Sequence, residues 1–318
     1  GDAGSDGFHR PAMLQPIDSP PSQQPGGFDA RPASSGRSVL AGRRSRMALA
    51  QLEQCHLCAH RCVVNRLAGE TGPCRAGATA RVFHTQTEVS DEQELAPVFA
   101  VAFSGCDLRC DFCNTGRQSW DPQAGTPVWL DAEPAPGLAA IAQRARHALA
   151  HTARSVMILG GEPTIHLPAV LELVSALPDD ARLVWKTNAH GTPEARALLD
   201  GLFEVWVADY KFGQDACALR LAGVPDYTRT VRENLHWARH HTDLIVRHLL
   251  MPGHLECCWR PVAEWLASAL PGVKVSLRTG FWPGWFSARH AELDQTTLRT
   301  EETRARDLAL QLGLHLIP

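Results

Sequence analysis

Residues 103–114 read FSGCDLRCDFCN and hold three cysteines, Cys106, Cys110 and Cys113, in the spacing C-x3-C-x2-C. They follow an apolar run, residues 98–103, which predicts a buried β-strand that leads into a loop. Iron–sulfur clusters are usually held by four thiolates, so a close set of three indicates a [4Fe-4S] cluster with one iron open to another ligand. The alternatives are a zinc site, which normally needs four ligands, and a disulfide, which is typical of secreted chains.

The spacing of these cysteines, with the aromatic Phe112 just before the last one, resembles the cluster loop of the radical S-adenosylmethionine (SAM) superfamily. The resemblance implies that SAM chelates the open iron and that one electron from the cluster cleaves it to methionine and a 5′-deoxyadenosyl radical. That radical abstracts a hydrogen from the substrate, while the protein positions the cofactors. The resemblance therefore makes Cys106, Cys110 and Cys113 the ligands of the catalytic cluster.

Composition limits the classes of protein that remain. The 318 residues, 44% hydrophobic and 20% charged, suffice for one large α/β domain with additions. A net charge of -3 gives no basic footprint, so we expect no nucleic-acid partner. No run of about 18 apolar residues suggests a membrane span. Ten cysteines without a recognisable secretory signal lead us to expect a reducing cytoplasm and metal binding.

Three segments are expected along the chain. Residues 1–46 are rich in Gly, Pro, Ser and Gln and lack a sustained apolar period, which predicts a disordered tail. Residues 47–96 are predicted to form a small metal-binding extension with four cysteines. Residues 97–318 are predicted to form the main α/β domain.

The extension holds four cysteines spaced C-x2-C-x3-C-x11-C, namely Cys55, Cys58, Cys62 and Cys74. Four thiols can close around one metal, and both tetrahedral zinc and a second iron–sulfur cluster fit this set. The block CHLCAHRC (residues 55–62) and the segment GETGPC (residues 69–74) are similar to the N-terminal block of a radical SAM group related to pyruvate formate-lyase activating enzyme. Ala59 stands where that group carries a proline.

Apolar runs and amphipathic segments alternate from residue 98 onward. The predicted strands are residues 98–103, 155–159, 182–187, 204–209, 244–250 and 273–277. The predicted helices are residues 137–151, 167–177, 193–201, 230–241, 260–270 and 297–312, and residues 116–136 are predicted to be a loop. Six β-α repeats indicate a parallel sheet covered by helices. They are fewer than the eight of a closed barrel, so we expect the partial (β/α)6 barrel of the radical SAM type, with a doubly wound open sheet as the alternative.

Polar residues follow the ends of these strands, which face the active site in parallel β/α folds. Gly160, Gly161 and Glu162 match the superfamily's G-G-E motif, whose backbone and carboxylate contact the amino group of SAM; a simple turn is the alternative. The later strand ends resemble activating-enzyme-like sequences, where Asp209 and Lys211 would contribute to the SAM pocket and His248 would lie near the adenosyl group. The alternatives are a solvated Lys211 and a hydrogen-bonded core histidine at position 248. The cofactor-binding candidates are Gly160, Gly161, Glu162, Thr187, Asn188, Asp209, Lys211 and His248.

The resemblance implies a radical SAM oxidoreductase of the activating-enzyme type, reduced by flavodoxin or ferredoxin. Its substrate stays open between a glycine of a partner protein, a peptide and a small molecule. Residues 113–116 and 276–286 depart from the related sequences, which predicts an altered substrate. An iron–sulfur electron-transfer or metal-carrier protein without SAM cleavage is the alternative. Cys217, Cys257 and Cys258 show no ligand-like partners and are expected to be ordinary buried thiols.

Overall fold

In the computed structural model, which describes residues 36–129 and 137–318, nine strands form one mixed sheet. At one edge β3 pairs antiparallel with β1, and β1 pairs antiparallel with β2, while β2 and β4 to β9 run parallel. The strands are β1 Ala80–Glu88, β2 Val98–Phe103, β3 Thr126–Trp129, β4 Ser155–Gly160, β5 Leu183–Thr187, β6 Val205–Asp209, β7 Asp243–Leu249, β8 Lys274–Arg278 and β9 His315–Leu316.

Helices connect the parallel strands. Each crossover between neighbouring strands from β2 to β9 contains at least one helix, as right-handed β-α-β units require. The helices of the described residues are α1 Arg37–Ala50, α2 Arg117–Trp120, α3 Gly137–His151, α4 Leu167–Ser175, α5 Pro193–Leu199, α6 Asp215–Ala222, α7 Tyr227–His241, α8 Arg260–Ala269 and α9 Arg299–Gln311.

The order of the strands decides between the two expected architectures. From β2 through β4, β5, β6, β7 and β8 the order in the sheet follows the chain. A doubly wound sheet reverses its strand order at a switch point, and no reversal occurs among the strands of the described residues. The predicted partial barrel with six β-α repeats is therefore confirmed.

Both faces of the parallel strands are buried. Side chains such as Trp185, Trp206 and Val246 face the helices and belong to the larger core. Their neighbours in the strands, among them Val184 and Val207, form a second, inner core. Burial on both faces explains why the strands read as nearly continuous apolar runs rather than as an alternation.

The chain between β1 and β2 fills part of the barrel interior. Leu95 packs in the inner core, and Glu92 is completely buried. Glu92 Oε2 lies 3.3 Å from Lys186 Nζ on β5, and Ser276 Oγ on β8 donates to Glu92 Oε1 at 3.4 Å. The last residues of the predicted extension thus belong to the barrel.

The helix α1 corrects the predicted disordered tail. It begins at Arg37, so the prediction is wrong for residues 37–46; residues 1–35 lie outside the described residues. Within α1, Arg43, Arg44 and Arg46 form a basic run, but Arg44 is buried, and its Nη1 donates to the carbonyls of Leu198 and Asp200 at the end of α5. Carbonyls at helix ends lack partners within the helix, so a guanidinium satisfies them well.

Most predicted elements agree with the observed ones to within three residues. The prediction missed β1, β9 and α6, and it described residues 116–136 as a loop, where α2 and β3 lie. Residues 130–136 are outside the described part of the chain. Across the ranges 36–129 and 137–318, no helix is long and apolar enough to cross a membrane.

Candidate active site

One cavity of about 330 Å³ lies at the carboxyl ends of the barrel strands, and Cys106, Cys110 and Cys113 all line it. Cys106 and Cys110 are buried and Cys113 is half-buried. Burial raises the pKa of Cys110 to about 12, although nearby Lys211 opposes the shift, and burial also raises the pKa of Cys106. Thiols in this setting become thiolates when a metal coordinates them.

Hydrogen bonds with the end of α6 and with Trp120 hold the cluster loop (residues 103–114) in place. The amides of Arg109 and Asp111 donate to the carbonyls of Ala222 and Leu221 at the end of α6, at 3.1 and 2.9 Å. Trp120 Nε1 donates to the carbonyl of Cys110 at 3.3 Å. These hydrogen bonds fix the backbone of the loop, and Asn188 Nδ2 also donates to Cys106 Sγ at 3.7 Å.

Gly160 and Gly161 line the cavity beside the cysteines. A Cβ atom at Gly160 would stand 2.1 Å from the Phe103 carbonyl oxygen, and one at Gly161 would stand 2.0 Å from the Gly105 carbonyl oxygen. Neither position can take a side chain, because the backbone of the cluster loop is in the way. The glycine pair lets the end of β4 pack against the cluster loop and leaves its backbone open to the cavity.

Glu162 lies behind the cavity and does not line it. Its carboxylate is 1% exposed and accepts hydrogen bonds from Thr187 Oγ1 at 2.8 Å, from the Asn188 amide at 2.7 Å and from the Thr164 amide at 3.0 Å. Burial and the charge of Asp107 raise the pKa of Glu162 to about 7. The structure therefore assigns Glu162 to the support of the β4 and β5 ends, not to a wall of the cavity.

The predicted residues on β5 and β6 do reach the cavity. Thr187, Asn188, Asp209 and Lys211 all line it. Lys211 Nζ donates to Asp209 Oδ2 in a short ion pair. Burial raises the pKa of Asp209, but Lys211 and Arg247 outweigh it and hold this pKa at about 2, so the carboxylate is ionised. These residues give one wall of the cavity a paired positive and negative charge.

Two further charged residues of this wall were missed by the sequence analysis. Lys186 and Arg247 line the cavity, and both contact the buried Glu92, at 3.3 and 3.5 Å. Arg247 also pairs with Asp91 at 2.7 Å. The alternation of side chains along a strand could have identified them, because residues two positions apart point to the same face of the sheet. A charged residue two positions from an inward-facing apolar residue therefore also faces inward.

His248, predicted to lie near the adenosyl group, is not among the residues that line the cavity. Its neighbours Arg247 and Leu249 line the cavity, so alternation along β7 points His248 to the opposite face. His248 Nδ1 lies 2.7 Å from the Tyr210 carbonyl oxygen, and the ring packs 5.0 Å from that of Trp259. Burial lowers the pKa of His248 to about 4. These contacts favour the alternative of a hydrogen-bonded core histidine, although His248 Nε2 is buried without a hydrogen-bond partner.

Asp107 joins the cluster loop to the end of β5. Asn188 Nδ2 donates to Asp107 Oδ1 at 2.7 Å, and His190 Nδ1 donates to Asp107 Oδ2 at 2.7 Å. Burial raises the pKa of Asp107, but the bond from His190 outweighs it and leaves the pKa below its usual value. His60 Nε2 donates to the Asp107 carbonyl at 2.9 Å, which brings the N-terminal extension to the same point.

The four cysteines of the extension lie beside the cluster loop. Cys55, Cys58 and Cys74 are buried and Cys62 is half-buried. Burial, and next the charge of Asp107, raise the pKa of Cys58 well above its usual value. The same Asp107 also raises the pKa of Cys106, so it acts on both cysteine sets.

The geometry fits a cluster with SAM bound to it. Three thiols and no fourth cysteine line the described cavity, which leaves one coordination position of a [4Fe-4S] cluster for another ligand. The open backbone of the glycine pair and the charged wall face the same space. A volume of about 330 Å³ is within the range of small-molecule sites.

Comparisons with known proteins show the family of the chain. The family described as the radical SAM superfamily matches residues 101–266. An uncharacterized protein of Methanocaldococcus jannaschii is 30% identical over 272 residues, which is 83% of this chain and 77% of the relative.

The chain is also similar to several solved structures. Streptococcus suis SuiB bound to S-adenosylmethionine is 16% identical, with a TM-score of 0.49 over 67% of this chain, and the chain spans 47% of SuiB. A domain of pyruvate-formate lyase-activating enzyme from Bacteroides vulgatus is 18% identical, with a TM-score of 0.42 over 51% of this chain and 97% of that domain. From the family match and the archaeal relative we conclude that the chain belongs to the radical SAM superfamily and is an enzyme.

Proposed function

We propose that this enzyme holds a [4Fe-4S] cluster on Cys106, Cys110 and Cys113, cleaves SAM reductively and abstracts a hydrogen from its substrate. The observation that carries the proposal is that these three thiols and the Gly160–Gly161 backbone line the same cavity. When bound, the cluster supplies the electron and SAM supplies the group that takes the hydrogen.

The residues of the cavity have separate tasks in this proposal. Lys211 and Arg247 offer positive charge to the carboxylate of SAM, while the ionised Asp209 offers an acceptor to its ammonium or hydroxyl groups. Thr187 and Asn188 hold the wall that Glu162 supports from behind. His248 acts indirectly, since it fixes the Tyr210 carbonyl next to Lys211.

We propose that Cys55, Cys58, Cys62 and Cys74 hold an accessory metal, either zinc or a second iron–sulfur cluster. An iron–sulfur cluster at this position would deliver electrons from flavodoxin or ferredoxin, because His60 of the extension contacts Asp107 of the cluster loop, whereas zinc, which has no redox chemistry, would only hold the extension together. All ten cysteines of the chain lie in the described residues and are free thiols, which supports a reducing cytoplasm as the compartment.

For the substrate, we propose a glycine of a partner polypeptide, as in the activating enzymes that the sequence resembles. Modification of a peptide or a small molecule is the second candidate. It is favoured by the aromatic side chains beside the cluster loop, where Trp285 is 39% exposed and its ring lies 5.9 Å from that of Trp120.

The proposal is tested by electron paramagnetic resonance of the reduced, anaerobically reconstituted protein. Adding SAM should change the signal of the cluster on Cys106, Cys110 and Cys113, because SAM would bind its open iron. Cys55→Ala serves as the matched control, since it alters the accessory set and should keep the SAM-dependent change. A signal that is indifferent to SAM would favour the electron-transfer or metal-carrier alternative.

A further inference from the structure

Four side chains that could bind a metal lie together outside the cavity. They are Cys217, His254, Cys257 and Cys258, and their four ligand atoms all lie within 4.8 Å of one another. The expectation that Cys217, Cys257 and Cys258 have no ligand-like partners is wrong, because the fold brings Cys217 of α6 and His254 to Cys257 and Cys258. We propose that these four residues bind a single zinc ion in a closed tetrahedral site.

The distances match those of one ion. Zinc–sulfur bonds of about 2.3 Å and zinc–nitrogen bonds of about 2.0 Å place tetrahedral ligand atoms roughly 3.6 to 3.8 Å apart. Cys257 Sγ lies 3.9 Å from Cys258 Sγ, and His254 Nδ1 lies 3.3 Å and 3.4 Å from these two sulfur atoms. A disulfide would need about 2.05 Å, and the thiolates of an iron–sulfur cluster stand farther apart because irons and sulfides separate them.

The backbone arranges three of the ligands on one side of a helical turn. Residues Leu255–Trp259 form a π-helical turn, and His254 immediately precedes it. Positions i, i+3 and i+4 share a helix face, which brings His254, Cys257 and Cys258 together. Single π-helical turns are rare in proteins overall, and those that do occur are often found at functional sites.

The histidine is also oriented as a ligand would be. Its Nδ1 faces the thiols, while its Nε2 lies 3.5 Å from Glu292 Oε1 and 3.4 Å from Arg220 Nη2, and Glu292 and Arg220 pair with each other at 2.6 Å. Metal-binding histidines commonly turn their second nitrogen to a carboxylate, which fixes the ring and its tautomer. His254 is 2% exposed and Cys258 is fully buried, so the four ligands would leave no open position, as in structural zinc sites.

The site would connect two parts of the fold that matter to the cluster loop. Cys217 lies on α6, whose last carbonyls accept hydrogen bonds from Arg109 and Asp111 of that loop. The other three ligands lie just before α8. A bound ion would therefore hold α6 in place and support the loop that carries the catalytic cysteines.

Metal analysis of the anaerobically purified full chain tests this site. We expect Cys258→Ser and His254→Gln each to lose one equivalent of zinc per chain and to keep their iron and sulfide. Cys113→Ser is the reciprocal control, because it should lose iron and keep this zinc. A folded Cys258→Ser variant with the zinc content of the parent would overturn the proposal.

Alkylation of the unmodified protein tests the site without a variant. With zinc bound, Cys257 should resist iodoacetamide although it is only half-buried, and treatment with a zinc chelator should make Cys257 react. Peptide mass spectrometry reads each cysteine separately. Labelling of Cys257 at the same rate before and after chelation would contradict a bound ion.

Discussion

Gly161 shows how closely single residues of the site are constrained. A Cβ at this position would meet the Gly105 carbonyl oxygen at 2.0 Å, and backbone atoms cannot rotate away as a side chain can. We expect Gly161→Ala to lower the free energy of unfolding by about 1–3 kcal/mol, as overpacking does, and to weaken SAM binding. Denaturant unfolding and SAM titration measure the two effects.

Gly280→Ala is the matched control for this prediction. Position 280 has no atom within 4 Å of an added Cβ, so the same chemical change should leave stability almost unaltered. Equal stabilities of Gly161→Ala and the parent would show that the close contact between β4 and the cluster loop is not as the structure has it.

The residues of the site were predictable where their spacing is local. The three cysteines of the cluster loop lie within eight residues, so their spacing is visible in the sequence: Cys106, Cys110 and Cys113. Four other residues of the cavity lie at or just after strand ends, which predicts their position at the same edge of the sheet: Thr187, Asn188, Asp209 and Lys211. His248 was assigned to the pocket from its position near a strand end alone, but the alternation along β7 that places Arg247 in the cavity places His248 on the opposite face. Cys217 and His254 are 37 positions apart in the sequence, and only the packing of α6 brings them together.

At the scale of elements, α1 shows what a composition argument misses. Its arginines look like a solvated basic run, but Arg44 donates to two carbonyls at the end of α5. We expect Arg44→Ala to destabilise the fold by about 1–3 kcal/mol, because it leaves buried acceptors without donors. Arg43→Ala, one position away and exposed, should change stability little; similar losses in both variants would contradict the docking of α1.

The short helical turn after β4 predicts a pH dependence of stability. His166 is buried there, and burial lowers its pKa from 6.5 to about 3. Between these pH values the unfolded chain binds the proton that the folded chain refuses, so stability rises with pH and is lost as pH falls. The slope from this group is about 1.4 kcal/mol per pH unit.

Unfolding of His166→Gln across pH 4 to 6.5 tests that slope. The variant should show a flatter dependence than the parent, whatever its absolute stability. His147→Gln, which removes an exposed imidazole from α3, controls for the general loss of a histidine. Identical slopes for the parent and His166→Gln would contradict the pKa assigned to His166.

Over the whole molecule, the β-α alternation was enough to predict the partial barrel, since each strand is a single apolar run and each crossover contains a helix. The antiparallel strands β1 and β3 were not predictable, because they lie at the sheet edge and carry mixed polar residues. The chain between β1 and β2 enters the barrel with Glu92, a contact with β5 and β8 that no local pattern records.

The central proposal is that the cluster on Cys106, Cys110 and Cys113 cleaves SAM. Formation of 5′-deoxyadenosine measures this cleavage most directly. Anaerobically reconstituted protein with SAM and a strong reductant should produce it slowly without added substrate. Cys55→Ala should keep part of this activity and Cys106→Ala should have none. Continued formation by Cys106→Ala, or none by fully loaded, SAM-bound parent protein, would contradict the account.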